Sequence, residues 1–221
     1  MAQLHPQTFR FLSGLKKNNN KEWFEKNRPL YEAIRADFVT VTGEIIQEIA
    51  RFDPSIAQLD AKKCLFRINR DIRFSPNKAP YKINISAVMA KGGKNAPTAG
   101  YYVHVQPGEC FAGGGIWMPD AEQLRKIRQE IDYNFNDFKK IVTAKSFRKS
   151  FGSIDTAAKL ARPPKNYLPE NPAIEYLKLK SFVAGASLGD EEVLTKNFVK
   201  RVSSCFKEMY PFISFLNKAV E

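Results

Sequence analysis

Histidine and cysteine are scarce in this chain, with His5 and His104 as the only histidines and Cys64, Cys110 and Cys205 as the only cysteines among 221 residues. Two distant histidines cannot build a multi-histidine metal site. With no C-x-x-C pair, the scattered thiols offer neither zinc spacing nor a disulfide framework. The expectation is no metal and no cofactor. An odd number of dispersed thiols fits a reducing compartment, so the expected location is cytoplasmic. No apolar run approaches the roughly 20 residues of a bilayer span, and the segment from Met1 to Pro6 lacks the charged head and apolar stretch of a signal peptide. A membrane partner is therefore not expected. The phosphate-binding patterns G-x-x-x-x-G-K-[ST] and G-x-G-x-x-G are also missing, as are internal repeats and low-complexity segments.

What is present suits one soluble globular domain. The chain is 43% hydrophobic and 12% aromatic, which excludes disorder and a disulfide mini-protein. The period of the apolar residues changes twice. Residues 7–53 read as helical: Phe9, Leu12 and Leu15 form one stripe. Asn20 is placed to cap a turn carrying Trp23 and Phe24. Pro29 suits the first turn of a longer helix bearing Tyr31, Ile34, Phe38, Val41, Ile45 and Ile49. Asp53-Pro54 stops it. Residues 62–117 read as a sheet, with strands at Cys64–Asn69, Ile83–Ala90, Tyr101–Gln106 and Glu109–Trp117, the last two joined tightly at Pro107-Gly108.

Alternation puts Phe66, Ile68, Ile83, Ile85, Met89, Tyr101, Val103 and Val105 on one apolar side. Arg67, Asn69, Asn84, Ser86, Tyr102, His104 and Gln106 fall on the other. Residues 119–219 return to helix. Pro119 opens a stripe of Leu124, Ile127 and Ile131, and Asn136 is placed to cap a second with Phe138, Ile141 and Val142. A last stripe, Phe198, Val202, Cys205, Phe206 and Met209, runs up to Pro211. Leu179 to Leu188 reads as an added edge strand. The resulting expectation is a single α+β domain over 1–221, a central antiparallel sheet of about four to five strands flanked by N-terminal and C-terminal helices.

Charge is concentrated in one place. The chain carries a net +12. Between Lys62 and Lys94 nine cations stand against one anion, Asp71, a net +8 within 33 residues. Within that stretch Arg67, Arg70 and Arg73 fall within seven residues, followed by Lys78, Tyr81 and Lys82. Asp71 can satisfy one or two of the three arginines. The planar guanidinium binds carboxylate or phosphate through paired, charge-assisted hydrogen bonds, so an anionic ligand suits the remainder. The competing reading is a surface loop braced by Arg–Asp pairs, each worth little.

Gly113-Gly114-Gly115 before Pro119 allows close approach of a backbone, either to a phosphate or, as the favoured reading, in a β-bulge or in flat packing against Trp117. His104, on the polar side with Tyr102, has the chemistry of an acid or base near neutral pH. A lone histidine at a strand centre is, however, more often simply hydrogen-bonded. No catalytic set of Ser–His–Asp or Cys–His type assembles, and no carboxylate cluster suits Mg²⁺.

Several ordered motifs carry a resemblance: F-R-I-N-R-D-I-R-F-S-P-N-K-A-P-Y-K, A-G-Y-Y-V-H-V-Q-P-G, G-G-G-I-W-M-P, N-N-N-K-E-W-F and L-K-L-K-S-F. Together, from about residue 7 to 219, they resemble the uncharacterised family labelled domain of unknown function 2461. The resemblance implies one integral domain and brings no activity, cofactor or catalytic residue. Asn69 stands where that pattern prefers tyrosine. From the residues themselves, the expected function is binding of an anionic, phosphate-bearing ligand by Arg67, Arg70, Arg73, Lys78 and Lys82, with Tyr81, Tyr102 and His104 orienting it and Asp71 among the ligand-binding residues. A small molecule and nucleic acid are both candidates. The rival is a non-enzymatic protein docking an acidic partner through a basic surface. Arginines converging in a cleft favour the first, and arginines splayed over a flat surface favour the second.

Overall fold

A computed structural model describes residues 2–221. Three helices begin it: α1 (Thr8–Lys17), α2 (Lys21–Lys26) and α3 (Arg28–Ala50). The Asn20 side chain accepts a hydrogen bond from the Trp23 backbone N–H at 2.9 Å, which fixes the start of α2. Pro29 lies in the first turn of α3, whose stripe Ile34, Phe38, Val41, Ile45 and Ile49 is buried. A short helical turn, α4 (Ala61–Cys64), leads toward the sheet.

Four strands, β1 (Ile85–Ala90), β2 (Gly100–Val105), β3 (Phe111–Ile116) and β4 (Phe182–Ser187), form an antiparallel sheet in the order β1-β2-β3-β4. Between β3 and β4 run α5 (Ala121–Tyr133), α6 (Phe135–Thr143), α7 (Lys145–Phe151) and α8 (Ile174–Leu177). The short α9 (Asp190–Val193) and the long α10 (Phe198–Val220) close the chain. The fold is α+β, and β4 is the edge strand expected from Leu179 to Leu188.

The two faces of the sheet differ. Ala87, Met89, Tyr101, Val103 and Ala112 are fully buried, and α10 packs on this side through Phe206 and Met209. The Tyr101 hydroxyl donates to Asp53 at 2.9 Å, so the one polar atom that this ring carries into the core is satisfied. On the other side a register line runs Val88, Tyr102, Gly113, Gly185 across all four strands. No helix covers its middle among the described residues, and a concavity opens there.

Five expectations are corrected. Cys64–Asn69 is not a strand. The Asp60 carboxylate caps the Lys62 N–H at 2.9 Å and starts α4, and one bridge, Leu65 to Ala87, is the whole of its ladder to β1. Leu65 and Ile68 turn inward three residues apart, so Phe66 leaves the apolar side and stacks edge-on against Tyr102 on the open side, at 6.2 Å between ring centroids. Arg67 and Asn69 accordingly do not share a strand face with Tyr102. The helix expected from Pro119 starts at Ala121, where Asp120 and Gln123 form a reciprocal capping box, and Asn136 lies inside α6 instead of capping it. Pro211 does not end the last helix. It sits within α10, where burial of Phe212, Ile213 and Leu216 outweighs the loss of one backbone hydrogen bond. Among the described residues no helix is long and apolar enough to cross a membrane.

Candidate functional site

The basic stretch folds as an arm that pairs with itself. Asn69 bridges Tyr81, the Arg70 N–H donates to the Pro80 carbonyl at 2.9 Å, and the Lys82 N–H donates to the Ile68 carbonyl at 2.8 Å. This geometry divides the predicted residues. Arg70 braces the arm, donating to the Ala79 carbonyl at 3.0 Å and to the Ser75 hydroxyl at 3.3 Å. Arg73 pairs with Asp71 through two hydrogen bonds, at 3.0 and 2.7 Å, in the open, and Lys78 donates to the Ile72 carbonyl at 3.1 Å. The Arg73 guanidinium holds the Asp71 carboxyl below its ordinary range. These four residues hold the arm's own shape.

Arg67, Tyr81 and Lys82 lie elsewhere, at the base of the arm where it faces α2 and α3. A cleft of about 520 Å³ opens there, lined by six cations: Lys21, Arg28, Arg35, Lys62, Arg67 and Lys94. One carboxylate, Glu25, shares the lining, and it is already bound to Arg28 at 2.6 Å. Lys82 stands close by, its ammonium 5.1 Å from the centroid of the Phe66 ring. Its pKa is held below the usual lysine value, first by burial and then by repulsion from Arg67 and Lys94. Tyr81 lines the cleft and stacks on Phe24 at 4.2 Å, and burial raises the pKa of its hydroxyl. The arm is pinned in this place by Asn19, whose side-chain amide donates to the Tyr81 carbonyl and accepts from the Tyr81 N–H, both at 2.9 Å.

Tyr102 belongs to a second concavity over the open face of the sheet. Its volume is about 900 Å³ and its lining includes Tyr102, Phe111, Gly113, Gly115, Gly185 and Trp117. His104 stands beside it: its Nδ1 is 2.9 Å from the Tyr102 hydroxyl and its ring stacks on Phe111 at 5.0 Å. Burial lowers the pKa of this imidazole, which keeps it neutral near pH 7. The glycine run has a structural cause. A Cβ at Gly114 would meet the Met209 sulfur on α10 at 2.5 Å, and Gly115, at a φ of +122°, has the Phe182 carbonyl 1.9 Å from where its Cβ would be. The glycines let β3 approach β4 and α10, and they leave a floor without side chains. The two concavities share Phe66 and Lys94 as walls.

Sequence reasoning missed Lys21, Arg28, Arg35 and Lys62 as cleft residues. The first three come from helices read only for their apolar stripes, and each is an ordinary solvated cation in one dimension. Lys62 and Lys94 were counted in the charge run but not placed. Among the described residues no three His, Cys, Asp or Glu side chains gather as a metal-binding group, and all three cysteines are buried and unpaired. Burial raises the pKa of the Cys110 thiol to about 12 and that of Cys64 and Cys205 above the ordinary value, so none is an activated nucleophile.

A family model described as Conserved hypothetical protein (DUF2461) matches residues 7–215. No curated protein and no solved structure matches the chain.

Proposed function

The chain belongs to this family, DUF2461, and from the geometry of its cleft we propose that it binds an anionic, phosphate-bearing ligand between α2, α3 and the base of the arm. The observation that carries this is the excess of cations around one concave cleft. Six line the cleft, and its single carboxylate is committed to Arg28. Clustered like charges raise the energy of the unliganded protein, and an anion relieves the repulsion while accepting charge-assisted hydrogen bonds. Repulsion from Arg67 and Lys94 adds to burial in lowering the Lys82 pKa. A concave site favours a ligand that enters it over an acidic protein laid across a flat surface. With one carboxylate, already paired, and no activated thiol, the groups present serve binding and orientation. The unpaired, buried thiols fit a reducing compartment, and the cytoplasm is the location this reading carries.

Thermal unfolding in phosphate, sulfate and pyrophosphate tests the proposal. Pyrophosphate at about 100 times its dissociation constant should add about 2.7 kcal/mol, or roughly 5–10 °C for a chain of this size. Arg67→Ala should remove most of that gain and Lys82→Ala part of it. Arg73→Ala, which removes a solvent-exposed ion pair, and Lys200→Ala, on α10, should leave it intact. Equal responses from Arg67→Ala and Lys200→Ala would show that the cleft is not the anion site. A response seen only with acidic proteins, and weakening steeply as salt rises toward about 0.1 M, would favour the surface-docking alternative.

A further inference from the structure

We infer that the ligand of the basic cleft carries a planar ring that lies in the neighbouring cavity over the open sheet face, which makes it a nucleotide; this rests on the anion reading of the cleft. The two concavities are parts of one site because Phe66 and Lys94 line both. Phe66 is flanked by the Tyr102 ring at 6.2 Å and the Lys82 ammonium at 5.1 Å, so it divides an aromatic compartment from a cationic one. Lys94, held by a 2.9 Å hydrogen bond from its ammonium to the Leu65 carbonyl, puts a fixed cation at the junction.

The aromatic compartment has the features that a flat heteroaromatic ring needs. Gly113 and Gly185 sit opposite each other on β3 and β4, so two adjacent strands present bare peptide there. Around this floor stand Tyr102, Phe111 and Trp117. Trp117 is 66% exposed and Phe66 39% exposed, and apolar rings left in water at the edge of a cavity gain by stacking against a ligand face. The exposed Ser153, Asp155 and Thr156 on the same wall supply short donors and acceptors for ring-edge or sugar groups. A volume of about 900 Å³ is in the range of small-molecule sites and exceeds what a lone phosphate fills. A free nucleotide and a nucleotide at the end of a single strand share this chemistry.

The experiment is calorimetric titration of the full chain with pyrophosphate and with ADP, GDP, CDP and UDP. The best of the four nucleotides should bind at least about tenfold tighter than pyrophosphate, the gain expected from stacking one base. Gly185→Leu places a side chain on the floor, where its Cβ would make ordinary contact with the Phe111 ring at 3.4 Å. That variant and Trp117→Ala should reduce nucleotide affinity toward that of pyrophosphate and leave pyrophosphate itself unchanged. Arg67→Ala should weaken both ligands.

Equal affinity for pyrophosphate and all four nucleotides, or a nucleotide preference that survives Gly185→Leu, overturns the inference while leaving the cleft in place. Absence of pyrophosphate binding, with Arg67→Ala indistinguishable from the parent, overturns the cleft reading as well. A ten-nucleotide single strand that outcompetes every free nucleotide, with a log–log salt slope of about −0.7 per phosphate, supports the inference and identifies a strand as the source.

Discussion

His104 is placed by two neighbours, the Tyr102 hydroxyl 2.9 Å from its Nδ1 and the face of Phe111 stacked at 5.0 Å. Its environment removes more hydration from the imidazolium than nearby groups return. Burial lowers the pKa, and the partial offsets come from the Gln106 side chain and the charge of Glu109. The consequence for stability has a definite sign. The unfolded chain titrates near the ordinary histidine value of about 6.5, so as pH falls it takes up the proton before the folded chain does. Stability contributed at His104 is therefore intact above about pH 6.5 and is lost as pH falls toward the lower folded value, beyond which the loss is complete. Urea unfolding at pH 7.5 and 5.0 should show a smaller acid penalty for His104→Gln than for the parent, whatever the variant does to stability at pH 7.5. Equal penalties would mean that the imidazole is not desolvated. This also bears on function: a neutral His104 can share a hydrogen bond with Tyr102 and so steady the ring that lines the cavity, but it adds no cation to the site.

At the scale of elements, the arm from Leu65 to Lys82 shows what a one-dimensional reading can and cannot reach. The strands near 101–106 and 109–117 were legible because alternation and a Pro-Gly connection agree there with the ladder that forms, and the edge strand at 182–187 lies within the stretch read for it. The arm was not legible, because its apolar residues alternate like a strand while its backbone groups bond to one another and to Asn19. Arg70, Arg73 and Lys78, the densest charges in the sequence, are largely occupied in holding the arm. Arg67 instead shares a cleft with cations from α2 and α3, whose approach depends on tertiary packing that charge density along the chain does not encode. Asn19 is the pin. Its side chain both donates to and accepts from the Tyr81 backbone, as a neighbouring strand would. Asn19→Ala removes both bonds and leaves two backbone groups of a nearly buried residue without partners, a cost of about 1–3 kcal/mol each if water does not replace them. Hydrogen exchange should quicken between residues 66 and 82 in this variant, with β2 and β3 unaffected, and pyrophosphate affinity should fall along with it. Exchange in the arm matching that of the parent would show that Asn19 does not hold it.

For the whole molecule, the two helical ends share one core. α10 packs against β3, α3, α5, α6 and α7, so a single helix joins the sheet to elements from both halves of the chain. Its Asn217 side chain also accepts from the Ala99 N–H at 2.8 Å and donates to the Ala99 carbonyl at 3.3 Å, fastening its last turns to the start of β2. The Tyr101–Asp53 bond and the Phe52–Tyr210 ring pair, at 5.7 Å between centroids, connect the end of α3 to both. Neither the sheet nor the N-terminal helices can leave without exposing apolar faces that have no other cover, which is the condition for one cooperative transition. Trp23 reports on the N-terminal helices, where it packs beside Phe11 at 5.6 Å, whereas Trp117 at the end of the sheet is largely in water. In a Trp117→Phe variant, fluorescence from Trp23 therefore follows one end of the molecule while far-UV circular dichroism follows all of it. The two urea curves should superimpose in midpoint and slope. A Trp23 transition at distinctly lower urea would show that α1–α3 unfold as a separate unit. In that case the basic cleft, built between those helices and the arm, would be lost before the cavity, and a ligand spanning both concavities should bring the two transitions together.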